Sequence, residues 1–178
     1  MQELDWDRAL TLLSPHNYAL LSTLEAGGRA NLMGLGWWTI VSWAPPKVVV
    51  SIGVGQHSRH CLDELPEFVL NFPNVHQARG AWLCGTVSGR DGDKFQMAGF
   101  KALPSTQVRP PRVDGCTVAF ECRVAQRIDS GDHVLYLADI VAISGNPDVP
   151  MHLYSIHYNK LVGLDYEQIG RASCRERV

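Results

Sequence analysis

Positions 56–61 read QHSRHC, which sets two imidazoles, a hydroxyl, a guanidinium and a thiol within six residues. Groups of this kind serve metal ligation, nucleophilic attack or anion binding. His57, His60 and Cys61 give H-x-x-H-C, which matches none of the standard zinc spacings, and on a short helix these side chains diverge. No metal site is expected. A Ser or Cys hydrolase is equally unsupported, because no G-x-S-x-G elbow occurs anywhere in the chain. The glycines of SIGVGQHS do not form G-x-G-x-x-G and precede no long βαβ unit, so no Rossmann site is claimed. Anion binding remains. Ser58 falls where an N-cap belongs, and a helix start turns its N–H groups and its positive dipole end outward. His57 and Arg59 flank it, and Lys94 in DGDKF is a further point charge. A capped surface helix with solvated neighbours is the ordinary alternative for the same residues.

Three further residues have chemistry to offer. Asn31 and Asn71 each border an apolar run, where an amide can bond a ring edge or a hydroxyl, or simply form a turn. His133 follows Ser130-Gly131-Asp132 at the start of a strand, placed either to act on a ligand or to bond solvent.

The elements that must position these groups are mostly strands. Residues 5–13, DWDRALTLL, place Trp6, Leu10 and Leu13 at helical spacing behind a possible Asp5 cap, and Pro15 ends the helix. YALLSTLEAGGRANLMGLGWW predicts two strands about a turn at Glu25–Gly28. KVVVSIGVG follows Pro45-Pro46, is rich in β-branched residues and has no helical period. A short helix from Ser58 to Pro66, a strand EFVLNFP, a helix within 74–83 weakened by Gly80, and a helical turn or two after SGRDGD follow. CTVAFECRVAQRI and HVLYLADIVAISG then read as one long hairpin. The pattern is mainly β, short helices between antiparallel strands, and a barrel that closes its own edges suits it.

Composition bounds the class of protein. At 178 residues, 46% apolar and 19% charged, the chain is expected to form one domain. Its net charge of −2 gives no electrostatic footprint for nucleic acid. No apolar stretch is long enough to span a bilayer, and acids precede the first apolar run, the wrong order for a secretory signal. The five cysteines show no C-x-x-C pair, which suits free thiols in a reducing compartment. A cytoplasmic location is expected. The last ten residues, IGRASCRERV, switch to Arg-rich sequence without apolar periodicity, and back-translated they match one reading frame of a common short-read sequencing adaptor. The natural domain is therefore expected over 1–168, with 169–178 a foreign tail. Finding these codons at the genomic locus would overturn that expectation. The tail holds three Arg and one Glu, so the chain without it carries −4.

The order of several motifs resembles the flavin reductase-like, flavoredoxin-type proteins. It runs Asn31-Leu32-Met33, Trp37, Thr39, Ser42, Pro45-Pro46, an apolar strand, His57-Ser58 and Glu67–Asn71. Cys84-Gly85, Ser88-Gly89, Asp93-Lys94-Phe95 and Gly131-Asp132-His133 continue it, and the likeness covers roughly residues 15–165. PP or DKF alone is common, whereas the ordered set is specific.

The resemblance implies an FMN-binding split β-barrel with short inserted helices, a homodimer with each flavin near the subunit interface. It implies hydride transfer from NAD(P)H to FMN and onward to a small-molecule or protein acceptor. A flavin electron carrier without direct NAD(P)H chemistry is the alternative. Ser58, with His57, Arg59 and Lys94, would hold the phosphate. Asn31, Met33 and Asn71 would meet the ribityl chain or ring. Thr39, Ser51 and Ile52 belong to segments that the family places against the flavin, mostly through backbone. Trp37 matches the family's aromatic position and would form a wall or dimer contact, while Trp38 and Trp43 are read as core or interface packing. His133 would orient a nicotinamide or tune flavin protonation. If the tail is foreign, the family's closing segment is truncated here.

Overall fold

Alternation of buried and half-exposed side chains, not helical amphipathicity, organises this chain. In the computed structural model, residues 2–149 and 152–163 are described. The expected domain boundary at Gln168 and the tail 169–178 lie outside the described residues.

The chain opens with α1 (Trp6–Leu12), capped by Asp5, whose side chain accepts from the Arg8 N–H at 2.7 Å. β1 (His16–Asn17), β2 (Ala19–Leu24), β3 (Ala30–Leu35), β4 (Trp38–Ser42) and β5 (Lys47–Gly53) follow, then α2 (His57–Glu64) and β6 (Glu67–Phe72). After a 3₁₀ turn come α3 (Ala78–Thr86), α4 (Lys94–Ala98), β7 (Ala102–Leu103) and β8 (Arg112–Val113). The long strands β9 (Val118–Ser130) and β10 (His133–Gly145) precede β11 (Leu153–Ile156) and β12 (Lys160–Gly163).

One antiparallel sheet in the order β3-β2-β6-β9-β10-β5-β4 carries the fold, with a smaller sheet β1-β11-β12 beside it. β2 shows why one sheet can support two cores. Successive strand residues face opposite ways, so Ala19 and Leu21 join Val48, Val50, Ile52, Phe68 and Tyr136 on one side. Tyr18 and Leu20 join Leu32, Ala81, Cys84 and Phe95 under α3 and α4 on the other. Each fully buried aliphatic side chain contributes about 1.5–3 kcal/mol relative to exposure. The fold is a split-barrel type and mainly β. It is not the closed barrel that the strand pattern suggested, because β3 and β4 remain its two edges with no ladder between them.

The β9–β10 hairpin turns on Gly131 and Asp132, with Gly131 at φ +61°, where a Cβ would be strained. Gly80 does not end its helix as feared. A Cβ there would fall 2.6 Å from the Ala98 carbonyl, so its absence lets α3 lie against the end of α4. β4 was not foreseen, and its exposed Ile40 and Val41 show why: an edge strand with little burial has no alternation to read. Trp38 packs edge-on against Phe72, centroids 5.0 Å apart, as core packing requires. Trp43, in contrast, is 94% exposed and is not a core residue.

Candidate functional site

The ends of β3, β5 and β10 converge on a cleft of about 390 Å³. Met33, Trp37, Ser51, Ile52 and His133, five of the candidate residues, line it. Strand register brings them together. His133 pairs with Gly53, Leu135 pairs with Ser51, and the Ser51 N–H donates to the Trp37 carbonyl at 2.9 Å. Trp37 is thereby laid on His133, ring centroids 4.7 Å apart and planes 28° from parallel. His133 Nδ1 donates to Asp132 Oδ1 at 2.7 Å, and that hydrogen bond holds the Asp132 carboxyl below its ordinary value. Nε2 is left on the side of Gly53, where a Cβ would sit 3.7 Å from it.

Some of the lining was not foreseen. Leu10 reaches the cleft from α1, Gln56 enters from the N-cap of α2, and Tyr158 enters from the turn between β11 and β12. Tyr158 accepts a hydrogen bond from Trp37 Nε1 at 3.1 Å and stacks on His16 with centroids 4.5 Å apart. His157 and Tyr158 hold φ of +50° and +56°, and the His157 N–H is anchored on Ser14 Oγ at 2.8 Å. Nothing in that stretch of sequence carries a turn glycine to announce it.

The other candidates lie apart from the cleft lining. Gln56, not Ser58, is the N-cap of α2, and Ser58 turns inward with 2% exposure. Its Oγ accepts from Asn31 Nδ2 at 2.9 Å, and the same amide donates to Thr23 at 3.2 Å. Asn31 Oδ1 is buried without a hydrogen-bond partner among the described residues. A Cβ on Gly89 would lie 2.1 Å from it, so only glycine fits beside this amide. His57 Nε2 donates to Glu25 Oε1 at 3.0 Å, and Arg29 joins Glu25 at 2.7 Å. Partial burial alone would raise the Glu25 carboxyl, but these two donors outweigh it and hold the carboxyl below its usual value. Arg59 is committed to the Val54 carbonyl at 2.8 Å and to Asp63.

Asn71 is fully buried and spent on backbone, donating to Leu20 O at 3.2 Å and accepting from Val113 N–H at 2.8 Å. Lys94 is 4% exposed and donates to the Cys84 carbonyl near the end of α3 at 2.9 Å, and burial lowers its pKa. Thr39 stands exposed on β4, its hydroxyl turned to its neighbour's carbonyl. A larger hollow of about 720 Å³ beside α3 and α4 contains none of the candidates.

The cleft fits a flavin on its own features. Trp37, Ile52, Met33 and Leu10 offer apolar walls for a flat ring, and Gly34, Gly36 and Gly53 let it approach backbone. Gln56 makes no side-chain capping bond, so the first turn of α2 opens toward the cleft without a side-chain acceptor of its own. Thiol chemistry has no foothold: burial raises Cys84 to about 11 and Cys116 to about 12. No group of three or more His, Cys, Asp or Glu that could hold a metal exists among the described residues.

Sheet order defines a split-barrel protein. Residues 12–161 match the flavin reductase like domain, and the chain belongs to that family. It is 29% identical over 149 residues to the NADH:riboflavin 5'-phosphate oxidoreductase of Streptomyces pristinaespiralis, covering 83% of this chain and 81% of that one. Among solved structures it is similar to flavoredoxin from Methanosarcina acetivorans, TM-score 0.84 at 22% identity, covering 99% and 96% of the two chains. The NADH:FAD oxidoreductase of Streptomyces globisporus, solved with NAD and FAD fragments, superposes with TM-score 0.80 at 17% identity over 95% and 100%. No helix among the described residues is long and apolar enough to cross a membrane.

Proposed function

We propose that the protein is an FMN-binding oxidoreductase that uses NAD(P)H as hydride donor and passes electrons to a small-molecule or protein acceptor. The observation that carries this reading is the meeting of the Trp37–His133 stack and the α2 N-terminus in one cleft. When bound, FMN supplies the two-electron chemistry, accepting hydride and releasing electrons onward. Trp37, Ile52 and Met33 wall the ring and exclude water. Ser51 and its neighbouring backbone address the ring's polar edge. The first-turn amides of α2, from Gln56 through Ser58, face the phosphate, while His57 and Arg59, paired with Glu25 and Asp63, hold the helix start in place. Asn31 keeps Ser58 and the β3 edge in place from behind. His133, its Nδ1 proton fixed on Asp132, presents Nε2 to orient the donor's carboxamide.

A homodimer in the cytoplasm completes the proposal. Exposed Ile40, Val41 and Trp43 on the unpaired β4 edge form the apolar face that a second copy would cover.

The deciding experiment loads the protein with FMN and adds NADH or NADPH without oxygen. Rapid bleaching of the flavin is expected. Slow bleaching by both nucleotides, with fast reduction by a protein donor, would make it the electron carrier instead.

A further inference from the structure

A second hollow of about 210 Å³ adjoins the flavin cleft, and the two share Gly34, Gly36 and Tyr158. We propose that this hollow is a separate binding site for an uncharged planar aromatic molecule, with Tyr158 as the partition between the two. It depends on the flavin reading only for what lies on the other side of Tyr158.

Size and chemistry both point to such a ligand. A dry cavity of about 150 Å³ already admits a benzene ring, so this larger one takes a fused two-ring molecule whose outer ring reaches the rim at Trp82 and Thr86. No charged side chain lines it among the described residues. Trp82 from α3 and Tyr158 supply aromatic surface, each partly exposed at 39% and 42%. Gly34 and Gly85 let β3 and α3 meet backbone to backbone at this wall, with no side chain between them. A Cβ on Gly34 would fall 2.3 Å from the Tyr18 hydroxyl and 2.9 Å from Gly85 Cα.

One polar handle is available. Ser155 lines the hollow at 4% exposure, and its hydroxyl makes no hydrogen bond to another described residue. Of the other hydroxyls, Tyr18 donates to the Ala81 carbonyl at 2.7 Å, Thr86 donates to carbonyls of its own helix, and Tyr158 accepts from Trp37 Nε1. Gly85 and Thr86 form the C-terminal end of α3, the negative end of its dipole, which disfavours an anion. The occupant is therefore neutral, flat and able to accept or donate one hydrogen bond.

The partition is held from both sides. Trp37 Nε1 donates to the Tyr158 hydroxyl, and His16 stacks on the ring.

The test titrates quinoline, neutral at neutral pH, and its anionic analogue quinoline-2-carboxylate into the full chain by calorimetry, with and without saturating FMN. The expected result is quinoline binding in both conditions, at least tenfold weaker binding of the carboxylate, and at least tenfold weaker quinoline binding in Trp82→Ala with FMN affinity unchanged. Thr86→Phe, which fills the hollow from an exposed rim position, gives the same loss. No quinoline binding, equal binding of the carboxylate, or loss of quinoline when FMN is bound overturns the proposal. A protein that takes up quinoline but never FMN would fail the flavin reading and leave this site standing.

Discussion

Trp37 and His133 stack at 4.7 Å although they lie far apart in the sequence, and β5 joins them, pairing with β10 on one side and donating from Ser51 N–H to the Trp37 carbonyl just before β4. Trp37 is also held by Tyr158, and His133 by Asp132, so the pair forms a fixed wall. Removing the indole takes away one face for a flat ring, worth about 1–2 kcal/mol where aromatic surfaces meet. Trp37→Ala is expected to raise the FMN Kd roughly tenfold by fluorescence titration, and Trp37→Phe to recover most of it. An unchanged Kd in the alanine variant would move the flavin out of this cleft.

Gln56 offers the cleanest test of the phosphate end. It sits at the N-cap of α2 and makes no side-chain capping bond, so a charge placed there acts on the helix start without breaking a contact. A carboxylate at that position opposes an anion by about 1 kcal/mol. Gln56→Glu is expected to weaken FMN about fivefold while leaving riboflavin, which lacks the phosphate, unaffected. Equal loss for both ligands would show that the ring, not the phosphate, lies near α2.

Lys94 separates sequence expectation from structure. As a phosphate ligand it would be indispensable; as found, its ammonium is buried on the Cys84 carbonyl. Lys94→Met keeps the length of the side chain, removes a buried charge and forfeits one hydrogen bond, a net change of about 1 kcal/mol in stability. FMN affinity should stay within about twofold of wild type. A tenfold loss would return Lys94 to the phosphate.

How far the sequence reaches is visible in these residues. Strands whose alternate side chains are buried, such as β5 with Val48, Val50 and Ile52, announce themselves, as does the hairpin turning on Gly131. The family resemblance singles out Met33, Trp37, Ser51, Ile52 and His133, and the strands bring them to one cleft. Ser58 does not join them. Its helix starts two residues earlier than the cap pattern suggested, with Gln56 at the N-cap, and the buried Asn31 amide, donated from a distant strand, draws the hydroxyl inward. Asn71 reads like a ligand amide but bonds backbone instead, reaching Leu20 and Val113 on other strands and Val69 on its own. Tyr158 leaves no local signal, since its position depends on a turn anchored by Ser14.

Asn71 makes the structural alternative measurable. Replacing it with Leu leaves the Val113 N–H buried without its acceptor, at about 1–3 kcal/mol. A lower midpoint in urea with FMN affinity per folded molecule unchanged is expected. Lost flavin binding at full stability would instead put the amide on the ligand.

The Glu25 cluster supplies a pH signature. Its carboxyl, bonded by His57 and Arg29, lies below the ordinary value of 4.5, so the unfolded chain binds the proton more readily than the folded one. The stabilisation is therefore complete above that ordinary value and is lost as pH falls through the lower folded value. Glu25→Gln abolishes the effect. The Tm difference between wild type and this variant should be constant from neutral pH down to about 5, then shrink as the medium is acidified further. A difference that persists unchanged to the acid limit would mean the carboxylate contributes packing there and no ion pair.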